Sequence, residues 1–420
     1  MKQIFKIVSI LLFTLSLSNL VLATNGDNLI GVGPISRAMG GVGIAAPQDT
    51  ISAVFSNPAA MCFGAFCPSS QVDFAGTLFM PDVKAEVSGP NVGGTNKDDS
   101  EDEVYAIPAF GVSVPIGEAL NPPNWRFGLA AYGVTGLGVD YRESDLDRSN
   151  PGFGGNPLIA GAYTQLQSMR FAPAVAYQPN AKLSFGLAGI VEYSNLDLGA
   201  GSDWDYGFGL QGGVIFTPIN RLNLGLNIIT PRKLKFENVA DFDFDGTLDD
   251  LDLEAPLEIG GGAAYTFSKL LIEADVKWVN WGNADGYEDF DWDNQWVFAL
   301  GAQYQPITKL FLRAGYNYGK TPVDDNGGFD GTAPISVQGK TMPTYYYETF
   351  RLIGFPALAE HHLTVGIGYE FTPNFSANLG YMHAFENSLS ENGTDVTGQP
   401  VKIKSTLTEN AVDFGLTWRF

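Results

Sequence analysis

This chain of 420 residues is poor in cysteine, histidine and positive charge. It has two cysteines, three histidines, and 24 lysines and arginines against 46 acidic residues, for a formal net charge of -22. Nucleic-acid binding is not expected, because that binding depends on basic side chains that neutralise phosphates. The strand pattern sets none of His361, His362 and His383 beside an inward-facing serine, so we do not predict an enzyme.

Long apolar runs are also missing after the N-terminus. Lys2 and Lys6 precede an uncharged apolar stretch that ends near Ala23, a pattern typical of a cleaved signal peptide. We therefore expect residues 1–23 to be removed on export. No later stretch reaches the roughly 18 to 20 apolar residues of a membrane helix, so a helical anchor is not predicted.

The two cysteines, Cys62 and Cys67, are close in sequence. In an oxidising compartment a local disulfide is favoured over free thiols. The alternative is a pair of small apolar residues in a turn. A catalytic role is predicted in neither case.

Glycine and proline, in contrast, are abundant, with 50 and 24 copies. The end of the chain alternates with period two: Val412, Phe414, Leu416, Trp418 and Phe420 share one strand face, and Asp413, Gly415, Thr417 and Arg419 share the other. Such a strand meets hydrocarbon on one side and water on the other. The pattern is typical of a transmembrane β-barrel.

About fourteen amphipathic runs alternate with short turns rich in proline and asparagine and with long acidic loops. This pattern predicts an all-β fold, a transmembrane antiparallel β-barrel of about 14 strands over residues 69–420, with the short turns in the periplasm. A soluble β-sandwich is the alternative, and the signal peptide and the aromatic residues near run ends argue against it. The predicted runs are 71–87, 103–115, 125–140, 167–178, 182–197, 206–217, 221–238, 253–267, 270–282, 294–305, 309–319, 361–372, 375–386 and 409–420.

The segment before the barrel, residues 24–68, is rich in glycine and alanine and does not alternate. A barrel of this size has a lumen too wide for its own side chains to fill. We therefore predict that this segment is a hatch, or plug, inside the lumen. A disordered periplasmic tail is the alternative, and Ile44, Val54, Phe55 and Met61 make it less attractive because they favour burial.

The run from Gly33 to Asp49, followed by the motif Asn57-Pro58-Ala59, resembles the hatch of the FadL/TodX family of outer-membrane transporters for long-chain fatty acids and other hydrophobic compounds. Residues 257–281 and 355–385 are similar to two hairpins of that family. The resemblance implies an outer landing site, an inner binding site and sideways release through the barrel wall. One departure is the segment Pro356-Ala-Leu-Ala-Glu-His-His362, which stands where relatives often carry acidic and arginine residues after the proline, so ligand contacts on that loop are not transferred.

Apolar side chains in unusual places are candidate ligand contacts. The longest loop carries Tyr345, Tyr346, Tyr347, Phe350, Leu352 and Phe355, a candidate capture patch or, alternatively, the core of a loop that caps the barrel. Within the barrel, Ile190, Ile215, Phe311 and Met382 interrupt the polar inward row. They are predicted to line an inner pocket, with packing against the hatch as the alternative.

Glycines crowd one predicted strand at Gly133, Gly136 and Gly138. Glycine within a strand often marks a bulge or kink. We predict that this segment forms a lateral opening.

An acidic loop has the spacing of a calcium loop at Asp241, Asp243, Asp245, Asp249 and Asp252, although the last position lacks the usual glutamate. A solvated acidic loop is the alternative. No cofactor is expected to be required.

Together these features predict uptake of hydrophobic small molecules, long-chain fatty acids or hydrocarbons, in the bacterial outer membrane. The alternative is an acidic general diffusion porin for polar or cationic solutes. Expected partners are the cargo, membrane lipid and lipopolysaccharide, and the protein is expected to be a monomer.

Overall fold

The computed structural model describes residues 25–62, 69–101, 104–116, 124–142 and 163–420. The predicted signal peptide and Cys67 lie outside these residues. The Cys62–Cys67 disulfide therefore stays a prediction.

Fourteen antiparallel strands close into a barrel, because the last strand pairs with the first from Gln71↔Arg419 to Ser88↔Lys402. This confirms the predicted fold class. Strands are numbered along the chain, and those of the barrel are β1 (Gln71–Gly89), β3 (Tyr105–Ile116), β4 (Trp125–Asp140), β5 (Tyr163–Asn180), β6 (Leu183–Asp197), β7 (Ser202–Ile219), β8 (Leu222–Ile229), β11 (Glu258–Phe267), β12 (Leu270–Val279), β13 (Gln295–Ile307), β14 (Leu310–Gly319), β17 (His361–Thr372), β18 (Phe375–Thr394) and β19 (Pro400–Arg419).

Five further described strands lie outside the ring. Strand β2 (Gly94–Asp99) pairs with the outer end of β1. The others form two hairpins, β9 (Arg232–Ala240) with β10 (Asp249–Ala255), and β15 (Pro334–Val337) with β16 (Lys340–Pro343).

The alternation of side chains separates lipid from lumen. On β19, Phe414 and Trp418 are 51% and 54% exposed, whereas Asp413 and Thr417 are buried. Because no water is present in hydrocarbon to satisfy backbone N–H and C=O groups, a strand can face lipid only where its neighbours pair it on both sides.

Two predicted strands, 221–238 and 253–267, are wrong at their outer ends. Each is divided at a proline, at Pro231 and at Pro256, which lacks the N–H that a ladder needs. The residues beyond each proline leave the wall and belong to the hairpin β9–β10.

The N-terminal residues 25–62, here called the hatch, lie inside the ring. They form two short helices, α1 (Gly33–Arg37) and α2 (Thr50–Ser56), and a 3-10 turn from Pro58 to Cys62. The Asp49 side chain caps α2 by accepting the Ser52 N–H at 2.7 Å. Helix α1 contacts β17, β18, β19 and β1, whereas α2 and the 3-10 turn contact β1 and β3 to β7.

Long outer loops fold over the hatch as a cap, formed by residues 232–255, 281–293 and 320–360. The cap includes α3 (Thr344–Thr349), a π-helical turn from Phe350 to Gly354, and 3-10 turns at Trp281–Asn283 and Glu288–Phe290. Its parts interlock, because the Gln338 side chain bonds both the backbone N–H and the carbonyl of Asp252, at 2.9 and 2.8 Å.

None of the described helices has both the length and the apolar character needed to cross a membrane.

Candidate functional site

Two inward carboxylates of β12 hold the hatch. Asp275 Oδ2 accepts the backbone N–H groups of Gly43 and Ile44, at 2.9 and 3.1 Å. Glu273 Oε1 accepts the next two N–H groups of the hatch, at 2.7 and 2.9 Å. Four consecutive backbone N–H groups of the hatch thus find acceptors on one strand, so this part of the hatch is firmly attached.

The motif Asn57-Pro58-Ala59 joins the hatch to β6, β7 and β8, on the same side of the barrel as β12. Asn57 Nδ2 donates to the carbonyl of Ile44 in the hatch, at 2.8 Å, and contacts those of Val214 and Leu226, each at 3.2 Å. The Ser184 hydroxyl donates to the Ala59 carbonyl at 2.7 Å. The motif therefore fixes the hatch to three neighbouring barrel strands.

The barrel ladder is interrupted between β3 and β4. The two strands pair from Ile116↔Trp125 to Ala109↔Tyr132 and no further. Nearer the cap, the chain before β3 meets β4 again, where Glu101 N–H donates to Asp140 O at 3.0 Å. We call the interval between these contacts the wall gap. It is bordered by residues 105–108 of β3 and 133–139 of β4.

The start of the hatch occupies part of the free edge of β4. Leu29 N–H donates to Val134 O at 3.0 Å, and Gly136 N–H donates to Asp27 O at 3.4 Å. These bonds replace part of the pairing that β3 would supply. Strand β4 remains paired with β5, with an irregularity between Gly133 and Thr135.

The three predicted glycines lie along the wall gap. A Cβ on Gly133 would lie 2.5 Å from Ile107 Cγ2, and one on Gly138 would lie 1.9 Å from the Thr164 carbonyl oxygen. Gly136 bonds the hatch as described above. The Ile107 side chain therefore packs across the gap, and the absence of a side chain at Gly133 allows this close approach.

The aromatic residues of the long loop form the core of the cap, as in the alternative stated above. Four of the predicted contacts are at most 4% exposed: Tyr345, Tyr347, Phe350 and Leu352. Tyr346 and Phe355 are half-buried, and the Tyr346 ring packs on Phe244 at a centroid distance of 5.1 Å. A role in ligand capture stays a prediction.

Small cavities lie where the cap meets β4 and β5. One, of about 30 Å³, is lined by Leu137, Leu166, Leu251, Leu253, Tyr287, Phe290, Trp292, Arg351 and Phe355. A second, of about 10 Å³, shares three of these residues and reaches Asp27 and Thr135 beside the wall gap. The sequence interpretation missed most of this lining, although apolar aromatics such as Trp292 in an acidic loop were a usable signal.

The four predicted inner-pocket residues line neither of these cavities. Ile215 packs with alanines of the 3-10 turn, and Met382 packs in the apolar cluster around the hatch. Ile190 is buried, and Phe311 lies under the Arg313 guanidinium at 5.5 Å. For Ile215 and Met382 the structure places the side chains as in the packing alternative.

A buried ionic network lies beside the smaller cavity. The Nε atoms of Arg170 and Arg232 each lie 2.9 Å from Glu192 Oε2. Arg170 also lies 3.6 Å from Glu258. These charges neutralise one another, and they make the lumen below the cap polar.

A second buried network holds α3 within the cap. Arg351 Nη2 lies 2.7 Å from Glu348 Oε2 and also contacts Glu391. Burial raises the pKa of Glu348 to about 7, although Arg351 favours the charged form, and Glu391 adds to the increase. One arginine thus faces two carboxylates, and burial together with this arrangement favours the protonated form of Glu348.

Three of the five predicted calcium ligands come together, with carboxylate oxygens within 4.8 Å of one another: Asp241, Asp243 and Asp249. Lys340 Nζ lies 2.5 Å from Asp249 Oδ1 and 3.5 Å from Asp243 Oδ2. The structure does not bring Asp245 and Asp252 into this group. A lysine ammonium therefore supplies positive charge where a cation was predicted.

The chain was then compared with known proteins. Residues 28–204 match the model of a family described as outer membrane protein transport protein (OMPP1/FadL/TodX). No curated protein matches the chain.

Several solved structures share the fold. The P. putida toluene transporter TodX is 18% identical with a TM-score of 0.67, over 93% of this chain and 99% of that one. A Pseudomonas aeruginosa FadL homologue is 16% identical with a TM-score of 0.65, over 94% and 99%. The Ralstonia pickettii toluene transporter TbuX is 16% identical with a TM-score of 0.63, over 93% and 99%.

The matched family is one of transport proteins, in agreement with the prediction of an outer-membrane transporter rather than an enzyme. Residues 28–204 are thus similar to the OMPP1/FadL/TodX family of outer membrane transport proteins, and the barrel has the fold of the solved transporters.

Proposed function

We propose that this protein takes up hydrophobic small molecules, fatty acids or hydrocarbons, and releases them sideways through the wall gap. Cargo enters at the half-buried aromatics of the cap, passes the small apolar cavities below it, and leaves between β3 and β4. The observation that carries this route is the interrupted ladder between Ala109↔Tyr132 and Glu101–Asp140. The names of two similar structures, both toluene transporters, support a hydrophobic cargo.

Straight passage into the periplasm is less well supported, because the hatch lies across the lumen. Its attachment to Asp275, Glu273 and the strands around Asn57 would have to break together before it could leave. At the wall gap, in contrast, no strand ladder joins the described residues 105–108 and 133–139, and the hatch bonds β4 there through Asp27, Asn28 and Leu29. A hydrophobic cargo also gains by entering hydrocarbon directly.

A general diffusion porin is disfavoured for the same reason. Steady flow of polar solutes needs a continuous aqueous channel. Hatch and cap residues are instead packed against the inward side chains of the described strands.

The test is uptake of radiolabelled oleate and toluene by cells that express the full chain. Gly136→Trp should block the gap and reduce uptake strongly. Gly189→Trp is the matched control, since a Cβ there meets nothing within 4 Å. Ile107→Ala should act in the opposite direction and raise uptake, because it removes the side chain that packs across the gap.

Heat-modified gel mobility checks that each variant forms a barrel. Wild-type uptake by a folded Gly136→Trp variant would place the exit elsewhere. A large steady current of the wild type in planar bilayers, without uptake of either compound, would favour the porin.

A further inference from the structure

The lipid-facing side of the barrel carries a groove well away from the wall gap. It has a volume of about 1060 Å³ and crosses β7, β8, β11, β12, β13 and β14, with His361 at the β17 end. Outward apolar side chains such as Leu226, Phe298 and Leu300, which are 49% to 63% exposed, form its sides. Gly261, together with two outward alanines, forms its floor.

Packing against the hatch does not explain why the floor of the groove consists of small residues. The inward glycines of the same wall, Gly225 and Gly262, are close to Ile44 of the hatch. The floor residues lie on the opposite, lipid-facing side of the wall, at Gly261, Ala263 and Ala274. A Cβ on Gly261 would meet only ordinary contacts, the nearest being Leu226 Cδ2 at 3.6 Å, so the wall could carry larger side chains here.

One end of the groove is polar and lies at the outer surface. The Tyr316 hydroxyl and His361 Nδ1 are 2.5 Å apart, and the Tyr318 ring stacks on His361 at 4.7 Å between centroids. His361 directly follows the cap, and the exposed Lys320 directly follows β14. Aromatic and basic side chains at this level are typical of the membrane interface, where lipid headgroups lie.

We propose that the groove binds one phosphorylated lipid of the outer leaflet, with an acyl chain over Gly261, Ala263 and Ala274 and its headgroup at His361 and Lys320. The groove is continuous with the lipid-facing belt, so hydrocarbon is its neighbour. Lys320 gives the outer end the charge that complements a phosphate. Five ladder steps from β7 to β14 span about 24 Å at ~4.8 Å each, which is long enough for an extended acyl chain.

The test is native mass spectrometry of the purified full-length barrel in mild detergent with lipid A as the probe. Ala274→Phe should fill the groove and weaken retention by about tenfold, since it displaces roughly two buried methylene contacts. Ala263→Phe should act in the same way. Ala377→Phe makes the same change on the lipid-facing side of β18, outside the groove, and should retain lipid A like the wild type. Lys320→Gln should reduce retention of lipid A but not of a dephosphorylated form.

Heat-modified gel mobility confirms that the variants are folded. Equal retention by wild type and both groove variants would overturn the proposal, as would wild-type protein that retains no lipid A. A dimer that Ala274→Phe dissociates would assign the groove to a second copy of the chain instead.

Discussion

Two glycine-rich parts of the barrel wall have opposite structures. Strand β4 carries Gly133, Gly136 and Gly138, and its ladder with β3 stops at Tyr132. Strand β11 carries three consecutive glycines, yet it pairs without a break from Glu258↔Val279 to Phe267↔Leu270 and also pairs continuously with β8.

The comparison shows that a glycine-rich strand can either keep or lose its ladder. Contacts with the hatch determine which of the two occurs. At β11, inward glycines let Ile44 approach the backbone, and the continuous ladder leaves the wall closed. At β4, the hatch segment around Leu29 bonds the strand edge and takes the place of β3. A missing side chain alone therefore does not open a β-barrel.

The largest effect is expected where the continuous ladder of β8, β11 and β12, here called the closed wall, meets the hatch. A Cβ on Gly225 would lie 2.1 Å from the Ile44 carbonyl oxygen, which is backbone and cannot move alone. Gly225→Val should unseat the hatch, cost about 3 kcal/mol or more, and produce steady current in planar bilayers. Gly133→Val is the matched change at the wall gap, where the nearest atom belongs to a side chain, the Cγ2 methyl of Ile107, rather than to the backbone. Equal currents from the two variants would remove the distinction between the walls.

The next effect concerns the carboxylates of the closed wall. Asp275→Ala leaves the buried N–H groups of Gly43 and Ile44 without an acceptor, at a cost of about 3 kcal/mol for the two donors together. Chemical unfolding of the refolded barrel measures this loss. Asp245→Ala, on an exposed loop, is the control and should unfold like the wild type. An Asp275→Ala variant as stable as the control would show that the hatch is held elsewhere.

A smaller effect is expected in the cap, which contacts β5, the strand paired with β4, because the Thr164 hydroxyl donates to the Gly354 carbonyl. The pKa of Glu348 rises on folding from 4.5 to about 7 because of burial. Between pH 4.5 and about 7, Glu348 therefore carries a proton in the folded state that it has lost in the unfolded state. Cap stability should be highest below pH 4.5 and fall as the pH rises to 7.

Hydrogen exchange of residues 344–354 tests this expectation. Glu348→Gln cannot ionise, so its protection relative to the wild type should be greater at pH 8 than at pH 5. The same peptide is compared at each pH, so intrinsic exchange rates cancel. A ratio that does not change with pH would contradict the assigned titration.

The smallest effect concerns the hairpin β9–β10, which leads into the closed wall. If calcium binds Asp241, Asp243 and Asp249, it should raise the Tm slightly, and Asp243→Ala with Asp245→Ala should abolish the rise. Lys340→Gln should enlarge it, because the ammonium group that contacts Asp249 is removed. A wild-type Tm that calcium leaves unchanged would remove the metal hypothesis.

Much of the fold could be predicted from local patterns. Alternation along β19 identified the lipid-facing side, and short turns identified the end of the barrel opposite the cap. The prolines at 231 and 256 were available as strand breakers but were not used. The cavity lining around Trp292 was missed, because its members come from loops and strands that meet only in the folded barrel.

The sequence by itself determined the membrane fold, since the two-residue period assigns each side chain to lipid or lumen regardless of its distant neighbours. It also marked Asn57-Pro58-Ala59 as a hatch motif and the glycines of β4 as candidate functional positions. Only the tertiary structure decided which glycine-rich strand loses its partner, where the hatch is attached and which aromatics form the cap. These outcomes depend on contacts between residues far apart in the chain, such as Leu29 with Val134 and Ile44 with Asp275, which no local pattern encodes.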